Sequence, residues 1–120
     1  MAADGGAVEG CIFCGIASGA VPADLVYQDA SAVAFRDLRP QAPVHCLVVP
    51  RAHYGSLDEV PGGAERLLGH LLSLCAVVAR ERGLAHGYRV VVNTGADGGQ
   101  TVGHLHLHML GGRAMTWPPG

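Results

Sequence analysis

The sequence predicts an α+β fold, in which a mainly antiparallel, five-stranded sheet carries one long helix and one short N-terminal helix. Two observations favour this class. Several short runs rich in β-branched residues are separated by turn residues, which is typical of strands. Only one stretch has apolar residues at long-helix spacing, so the repeated strand–helix alternation of a parallel sheet is missing. A chain of 120 residues is the size of one domain.

The helices and strands are predicted in chain order from the glycines, prolines and turn residues at their ends. Residues 1–10, rich in Ala and Gly, predict a flexible tail, and residues 11–120 predict the folded domain. The segment from Cys11 to Gly19 predicts a short helical turn that ends at the glycine. Strands are predicted at residues 25–28, 32–36, 45–49, 88–93 and 103–110, the first two forming a hairpin.

The long helix is predicted over residues 64–82, between a Pro-Gly-Gly sequence and Gly83. It carries two neighbouring apolar stripes, whereas an amphipathic surface helix needs about one. The second stripe (Leu68, Leu72, Ala79) predicts a homodimer that forms through this helix. His70, on the same helix, has no partner that the sequence identifies.

Composition excludes several functions. The net charge is −2, with only eight Lys and Arg, so a nucleic-acid-binding surface is not expected. The first ten residues resemble neither a secretory signal nor a transit peptide, and the longest apolar stretch is too short to span a bilayer. Four cysteines without a signal peptide favour a reducing compartment. The expectation is a cytoplasmic protein, with the nucleus as an alternative.

The segment 103–110 contains three histidines that alternate with apolar residues: His104, His106 and His108. In a strand, this alternation places all three imidazoles on one face. Such a cluster could bind one metal ion, or one imidazole could be a nucleophile assisted by its neighbours. The Gly-Gly-Gln-Thr loop just before the strand offers small residues and N–H groups to phosphate oxygens, which favours nucleotidyl transfer.

Cys11 and Cys14 have the C-x-x-C spacing of a zinc clamp. By itself the spacing is moderately specific, and two further ligands are needed to complete a tetrahedral site.

The segment His-Leu-His-Leu-His-Met-Leu, residues 104–110, resembles the signature of the histidine triad (HIT) superfamily. Four other segments resemble its Hint branch, the histidine triad nucleotide-binding proteins that act as purine nucleoside phosphoramidases: CIFCGIASGAVPA, FRDLRPQAPVHCLVVPRAH, GYRVVVNTGADGGQ and the terminal WPPG. The resemblance runs from about Cys11 to Gly120.

The resemblance implies roles for individual residues. His106, the middle histidine, is the implied nucleophile, and His108 is implied to contact the phosphate oxygens or the leaving group. Asp37 matches the residue that holds the ribose hydroxyls. The phosphate-binding loop corresponds to Asn93, Gly99, Gln100 and Thr101, with His45 at a further active-site position. The implied base slot comprises Ile12, Phe13, Ile16, Phe35 and Leu38, with plain core packing as the alternative for these five and as an equal alternative for Ile16 and Phe35. Trp117 matches a residue that reaches toward the partner's site in dimeric relatives.

The resemblance also completes the metal site, because His53 and His104 match the other ligands of zinc-bearing relatives. A site with four protein ligands is closed and therefore structural. Zinc is the only cofactor expected.

The expected reaction is hydrolysis of adenosine 5′-phosphoramidate P–N bonds to AMP and an amine, through a nucleotidyl-histidine. Cleavage of adenosine 5′-phosphosulfate is an additional activity compatible with the same nucleophile. The alternatives are a dinucleoside polyphosphate hydrolase of the Fhit branch and a non-catalytic, nucleotide-binding regulatory protein. A metal-storage protein or a three-histidine metal enzyme is a third class.

Overall fold

A computed structural model describes residues 5–120 of the chain. Its elements are the helix α1 (Ile12–Ser18), the strands β1 (Leu25–Gln28), β2 (Ala32–Arg36) and β3 (Val44–Pro50), a short 3₁₀ helix (Leu57–Glu59), the helix α2 (Glu65–Glu81), and the strands β4 (Tyr88–Val91) and β5 (Leu107–Gly111). The five strands form one sheet in the order β1-β2-β3-β5-β4, with every neighbouring pair antiparallel. The predicted α+β class and five-stranded sheet are confirmed.

The helix ends follow local chemistry. Cys11 caps the start of α1, where its Sγ accepts the backbone N–H of Cys14. Gly19 ends the helix in the left-handed region, at φ +86°, which a residue without Cβ adopts without strain. Helix α2 lies within the predicted range and is followed by Gly83, also at positive φ. Neither helix of the described chain combines the length and the hydropathy that crossing a bilayer requires.

The sheet has two different faces. On one, α2 packs over a core that includes Cys46, Val48, Leu107 and Met109. On the other, α1 packs on a smaller apolar cluster formed by Val33, Phe35, Leu47, Val49 and three residues of α1. Alternation along β2 and β3 sends successive side chains to these two layers. The face under α1 is the one that carries the functional histidines.

The last strand is shorter than the predicted 103–110, because the backbone of residues 101–106 leaves the ladder. The N–H of Leu105 donates to Tyr54 O at 2.7 Å, and the imidazole Nε2 of His104 lies 2.9 Å from Pro50 O. These contacts replace strand pairing on the N-terminal side of Leu107, the first residue of β5, which still pairs with Val48 of β3. Side chains still alternate, since Leu105, Leu107 and Met109 all lie in the core under α2.

Strand β4 ends at Val91, although the sequence predicted a strand to residue 93. The chain turns there into the loop 93–100, in which the Asn93 side chain donates to Gly98 O at 2.7 Å.

The predicted tail falls partly outside the described residues, which begin at Gly5. Within 5–10, Gly5 O accepts the N–H of His53 at 2.9 Å, and the N–H of Val8 donates to Cys14 Sγ at 3.5 Å. The flexibility of residues 1–10 and the homodimer stay predictions.

Candidate active site and metal centre

The three histidines of the 104–108 segment divide between two sites. His106 and His108 lie side by side, with ring centroids 5.0 Å apart, and both line a mainly apolar pocket on the α1 side of the sheet. The imidazole of His104 is fully buried and lies against Cys11, Cys14 and His53 instead. All three imidazoles lie on the α1 side of the sheet, as the alternation predicts, because Leu105, Leu107 and Met109 lie in the core under α2.

His106 is held in one tautomer. Its Nδ1 lies 2.7 Å from the backbone oxygen of His104, and because a carbonyl only accepts, Nδ1 carries the proton. The lone pair is then on Nε2, which has no hydrogen-bond partner within residues 5–120. The edge of the Phe13 ring packs on the imidazole, with centroids 5.1 Å apart. A buried imidazole fixed on one side and open on the other has the arrangement of an aimed nucleophile.

His108 has a second imidazole as its neighbour. The β3–β5 register places His108 opposite Leu47, so that it is a diagonal neighbour of His45. His45 Nε2 and His108 Nδ1 are 2.9 Å apart, and His45 Nδ1 accepts the backbone N–H of Gln41 at 3.0 Å. Burial lowers the pKa of both imidazoles. For His108 the pKa falls to about 4, because burial is reinforced by repulsion from His106 and His45.

The pocket in front of these histidines has a volume of ≈330 Å³, at the lower end of the range for small-molecule sites. All five residues of the predicted base slot line it: Ile12, Phe13, Ile16, Phe35 and Leu38. Three of them are buried, whereas Ile12 and Leu38 are 52% and 94% exposed, more than a core position explains. Predicted ribose contact Asp37 and Thr101 of the loop also line the pocket.

Part of the pocket wall consists of residues that the sequence did not predict. The segment after α1 and three further positions complete the lining: Val21, Pro22, Ala23, Asp24, Arg36, Leu47 and Val102. Two of these residues could have been predicted from the sequence. Leu47 lies two residues after His45 on a strand and so shares its face, and Arg36 adjoins Asp37. The segment 21–24 has no periodicity, and its position depends on tertiary packing.

The predicted phosphate loop is ordered by its own side chains. Gln100 donates to the carbonyls of Gly55 and Val102 at 2.7 and 2.9 Å and accepts the N–H of Gly95. Gly99 has a φ of +76°, which suits a residue without Cβ. Asn93, Gly99 and Gln100 do not line the pocket in front of His106, whereas Thr101 does. Their contact with phosphate stays a prediction.

Trp117 is 81% exposed and does not line the pocket of its own protomer. Its reach toward a partner's site also stays a prediction.

The metal-ligand set comes together as the sequence and the resemblance indicated. One ligand atom from each of Cys11, Cys14, His53 and His104 lies within 4.8 Å of the other three. The shortest of these separations, 3.1 Å, joins the Nδ1 atoms of the two histidines. Cys14 Sγ lies 3.3 Å from His53 Nδ1, and Cys11 Sγ lies 3.4 Å from His104 Nδ1.

Two thiolates and two imidazoles are a donor set that suits tetrahedral Zn²⁺, and the separations match ligands that surround one such ion. The outer contacts support this assignment. His104 Nε2 donates to Pro50 O, which leaves Nδ1 as the coordinating atom. Backbone N–H groups of Cys14 and Val8 donate to the two sulfur atoms, and such contacts stabilise thiolates. The four residues fit zinc and leave no position for substrate.

Fold and site together define an α+β protein with two neighbouring imidazoles in an apolar pocket, next to a Cys₂His₂ cluster that fits a metal ion. The sequence profile of the HIT domain matches residues 18–115, and the chain belongs to the HIT domain family.

Relatives support this assignment across the chain. An uncharacterized HIT-like protein of Synechococcus elongatus is 52% identical over 112 residues, covering 93% of this chain and 98% of the relative. A 14 kDa zinc-binding protein of Zea mays is 48% identical over 103 residues, covering 83% of this chain and 80% of the relative.

Solved structures are similar as well. The HIT family hydrolase from Legionella pneumophila superposes with a TM-score of 0.89 at 48% identity, covering 92% of this chain and 99% of that one. A zinc-bound histidine triad family protein from Mycobacterium smegmatis has a TM-score of 0.75 at 35% identity, covering 87% and 76%. A histidine triad nucleotide-binding protein from Candida albicans has a TM-score of 0.77 at 28% identity, covering 90% and 82%.

Proposed function

We propose that the protein is a purine nucleoside phosphoramidase: a hydrolase that cleaves the P–N bond of adenosine 5′-phosphoramidates and releases AMP and an amine. The observation that carries this proposal is the orientation of His106. Its Nδ1 proton is held by His104 O at 2.7 Å, so Nε2 presents a lone pair. Structural relatives described as a HIT family hydrolase and a nucleotide-binding protein support the same class of activity.

In the proposed reaction His106 Nε2 attacks the α-phosphorus, and the P–N bond to the amine breaks as the N–P bond to histidine forms. The amine leaves with the electron pair of the broken bond and takes up a proton. Water then attacks the nucleotidyl-histidine, releases AMP and restores the imidazole. Two displacements replace one difficult hydrolysis, which is the usual gain of covalent catalysis.

The pocket supports a nucleoside in the orientation this chemistry needs. Phe13 and Phe35 pack edge to face, with centroids 5.5 Å apart, and form an apolar floor for a base. Asp37, at the rim, offers carboxylate oxygens to paired ribose hydroxyls. Thr101, on the same pocket wall as His106, offers a hydroxyl to the phosphate oxygens.

We propose that Zn²⁺ occupies the Cys₂His₂ cluster as a structural ion. The donor atoms support this role, as do a zinc-binding relative and a zinc-bound structural neighbour. The ion would join the N-terminal segment, through Cys11 and Cys14, to the loop that carries His53 and to His104.

We also propose a homodimer through α2. The second stripe divides in the structure, since Ala79 is buried in the core whereas Leu72 remains 54% exposed. Sedimentation velocity of the wild type and of Leu72→Glu tests the proposal, with a dimer expected for the former and a monomer for the latter. A monomeric wild type would contradict it.

The test of function compares three substrates: an adenosine 5′-phosphoramidate, a diadenosine polyphosphate and adenosine 5′-phosphosulfate. The enzymes are the wild type, His106→Ala and the matched control His86→Ala, which removes an exposed histidine that does not line the pocket. We expect the phosphoramidate to have the highest kcat/KM, the control to match the wild type, and His106→Ala to be nearly inactive.

Mass spectrometry of the rapidly quenched wild type should detect an adenylyl adduct on the peptide that contains His106. Preference for the dinucleotide would reassign the substrate, and full activity of His106→Ala on every substrate would reject the nucleophile.

A further inference from the structure

Two charged side chains in the wall of the nucleotide pocket have no role in the proposed reaction. Six of the residues that line the pocket have polar side chains. Four of the six are assigned above to the phosphate and the ribose: Asp37, Thr101, His106 and His108. The other two are Asp24 and Arg36. Because the rest of the lining is apolar, these two are the lining side chains that remain for hydrogen bonds to the base.

The backbone holds Asp24 and Arg36 side by side at the rim of the pocket. Asp24 immediately precedes β1, Arg36 ends β2, and the N–H of Arg36 donates to Asp24 O at 3.0 Å. The side chains form an ion pair, with Arg36 Nη1 3.5 Å from Asp24 Oδ2. Asp24 directly follows the apolar wall segment 21–23, and Arg36 directly follows Phe35. The ion pair therefore lies where the apolar wall ends.

Most of the hydrogen-bonding capacity of this ion pair is unused. The 3.5 Å contact joins one nitrogen of the guanidinium to one carboxylate oxygen. Within residues 5–120, Asp24 Oδ1 and the Nε and Nη2 groups of Arg36 have no hydrogen-bond partner. The side chains of Asp24 and Arg36 are 60% and 57% exposed, and ion pairs this exposed contribute little to stability. A ligand can therefore rearrange the pair at small cost.

A carboxylate beside a guanidinium is complementary to the polar edge of a 6-oxopurine such as guanine. Guanine offers O6 and N7 as acceptors, which a guanidinium binds with two N–H groups. Its N1–H and 2-amino group lie next to O6 and are two donors, which match the two oxygens of a carboxylate. Adenine offers the carboxylate only its 6-amino group and has no acceptor at position 6. Guanine therefore satisfies both members of the ion pair more fully than adenine does.

We propose that Asp24 and Arg36 bind the polar edge of the base and make the enzyme selective for guanosine 5′-phosphoramidates over adenosine 5′-phosphoramidates. Arg36 donates to O6 and N7, and Asp24 accepts the N1–H and the 2-amino group. This selectivity deepens the proposed function and rests on it. The base edge lies at the far end of the nucleotide from the phosphorus that His106 attacks, so the contact changes KM and leaves kcat alike for both nucleotides.

The kinetic test compares guanosine, inosine and adenosine 5′-phosphoramidates that carry the same amine. We expect kcat/KM to be about tenfold higher for guanosine than for adenosine, in the lower part of what one bidentate base contact contributes, because the ion pair is more than half exposed. Inosine keeps O6 and N1–H but lacks the 2-amino group, so its value should fall between the two. Equal values for guanosine and adenosine would overturn the proposal.

Variants of the ion pair assign the selectivity to its members. Asp24→Asn replaces one carboxylate oxygen by an amino group, which would face the N–H groups of guanine. We expect this variant to raise KM for the guanosine substrate about tenfold, with kcat unchanged. Arg36→Met keeps an apolar stem without donors and should also reduce the preference. The matched control Asp58→Asn changes an exposed carboxylate outside this pocket and should keep the wild-type ratio. A guanosine preference that survives Asp24→Asn would contradict the proposal.

Binding of the nucleoside monophosphates tests the selectivity without turnover. In calorimetric titrations we expect GMP to bind the wild type about tenfold more tightly than AMP, and Asp24→Asn to bind the two alike. If no phosphoramidate is hydrolysed while GMP still binds more tightly, the proposed function fails and the selectivity stands. Hydrolysis of the phosphoramidates together with equal Kd values for GMP and AMP would overturn the selectivity alone.

Discussion

Gly15 in α1 sets the position of one wall of the nucleotide pocket, and a double-mutant cycle tests this. A Cβ built on Gly15 lies 2.6 Å from Val21 Cγ2, about 1 Å inside the optimal carbon–carbon separation of roughly 3.5–4.0 Å. Val21 cannot simply move away, because its N–H donates to Gly15 O at 3.0 Å. Gly15→Ala must therefore rotate the valine or push it toward the pocket, which it lines.

Two opposing effects determine how much Gly15→Ala changes the free energy of unfolding. Replacing a helical glycine by alanine favours the helix by about 0.5–1 kcal/mol. Overpacking of this kind costs about 1–3 kcal/mol. We expect Gly15→Ala to lower the free energy of unfolding by up to about 2.5 kcal/mol, the largest difference between these ranges. In a Val21→Ala background the nearest remaining atoms are the residue-21 Cβ at 3.4 Å and N at 4.0 Å, which are ordinary contacts.

In that background we expect Gly15→Ala to stabilise the protein by about 0.5–1 kcal/mol, giving a coupling energy of about 1–3 kcal/mol between the two positions. Urea denaturation of the four proteins measures this coupling. Steady-state kinetics of Gly15→Ala should show a raised KM with kcat unchanged, since the wall moves and the histidines do not. Additive effects within about 0.5 kcal/mol would refute the reasoning.

Three further predictions concern the metal, pH and a helix contact. Chelation of zinc, or Cys14→Ser, should lower Tm while kcat measured well below Tm falls less than about tenfold, because metal binding couples to folding and no ligand lines the nucleotide pocket. Stability should fall as pH drops from 6.5 toward 4: the unfolded chain, with an ordinary histidine pKa of 6.5, binds a proton that buried His108, with a pKa of about 4, does not. The contribution of His108 to this loss is at most about 3 kcal/mol, reduced by partial solvent exposure. The loss should be smaller in urea titrations of His108→Asn, in which only the lowered pKa values of His45 and His104 remain. His70→Ala should cost about 1 kcal/mol, measured by the same titrations, since its Nε2 lies 2.7 Å from Asp29 Oδ2 and joins α2 to the β1–β2 turn; no change would show that the pair is not stabilising.

Local chemistry made much of the fold predictable. Turn residues and glycines such as Gly19 act through their own φ and ψ angles, so the helices and the first hairpin were found within a few residues of their observed ends. The spacing of Cys11 and Cys14 and the alternation after His104 are likewise properties of short segments. The family resemblance added His53, which no local pattern connects to the cysteines.

The features that the sequence did not predict depend on contacts between distant segments. His104 lies outside the regular strand, which begins at Leu107, because its imidazole donates to Pro50 O, 54 residues away in the sequence. The sequence identifies no partner for His70, which contacts Asp29 across 41 residues in the structure. The Gln41 amide carries no signal in the sequence at all, since every residue except proline has an N–H and only the fold decides where it points.

His104 serves both centres, but with different parts of the residue. Its ring faces the cysteines, whereas its carbonyl aims His106, and a carbonyl is common to all twenty amino acids. A lineage could therefore discard the metal by changing side chains alone and still retain the acceptor that orients the nucleophile. Dependence on zinc and competence for chemistry are, on this geometry, free to diverge in evolution.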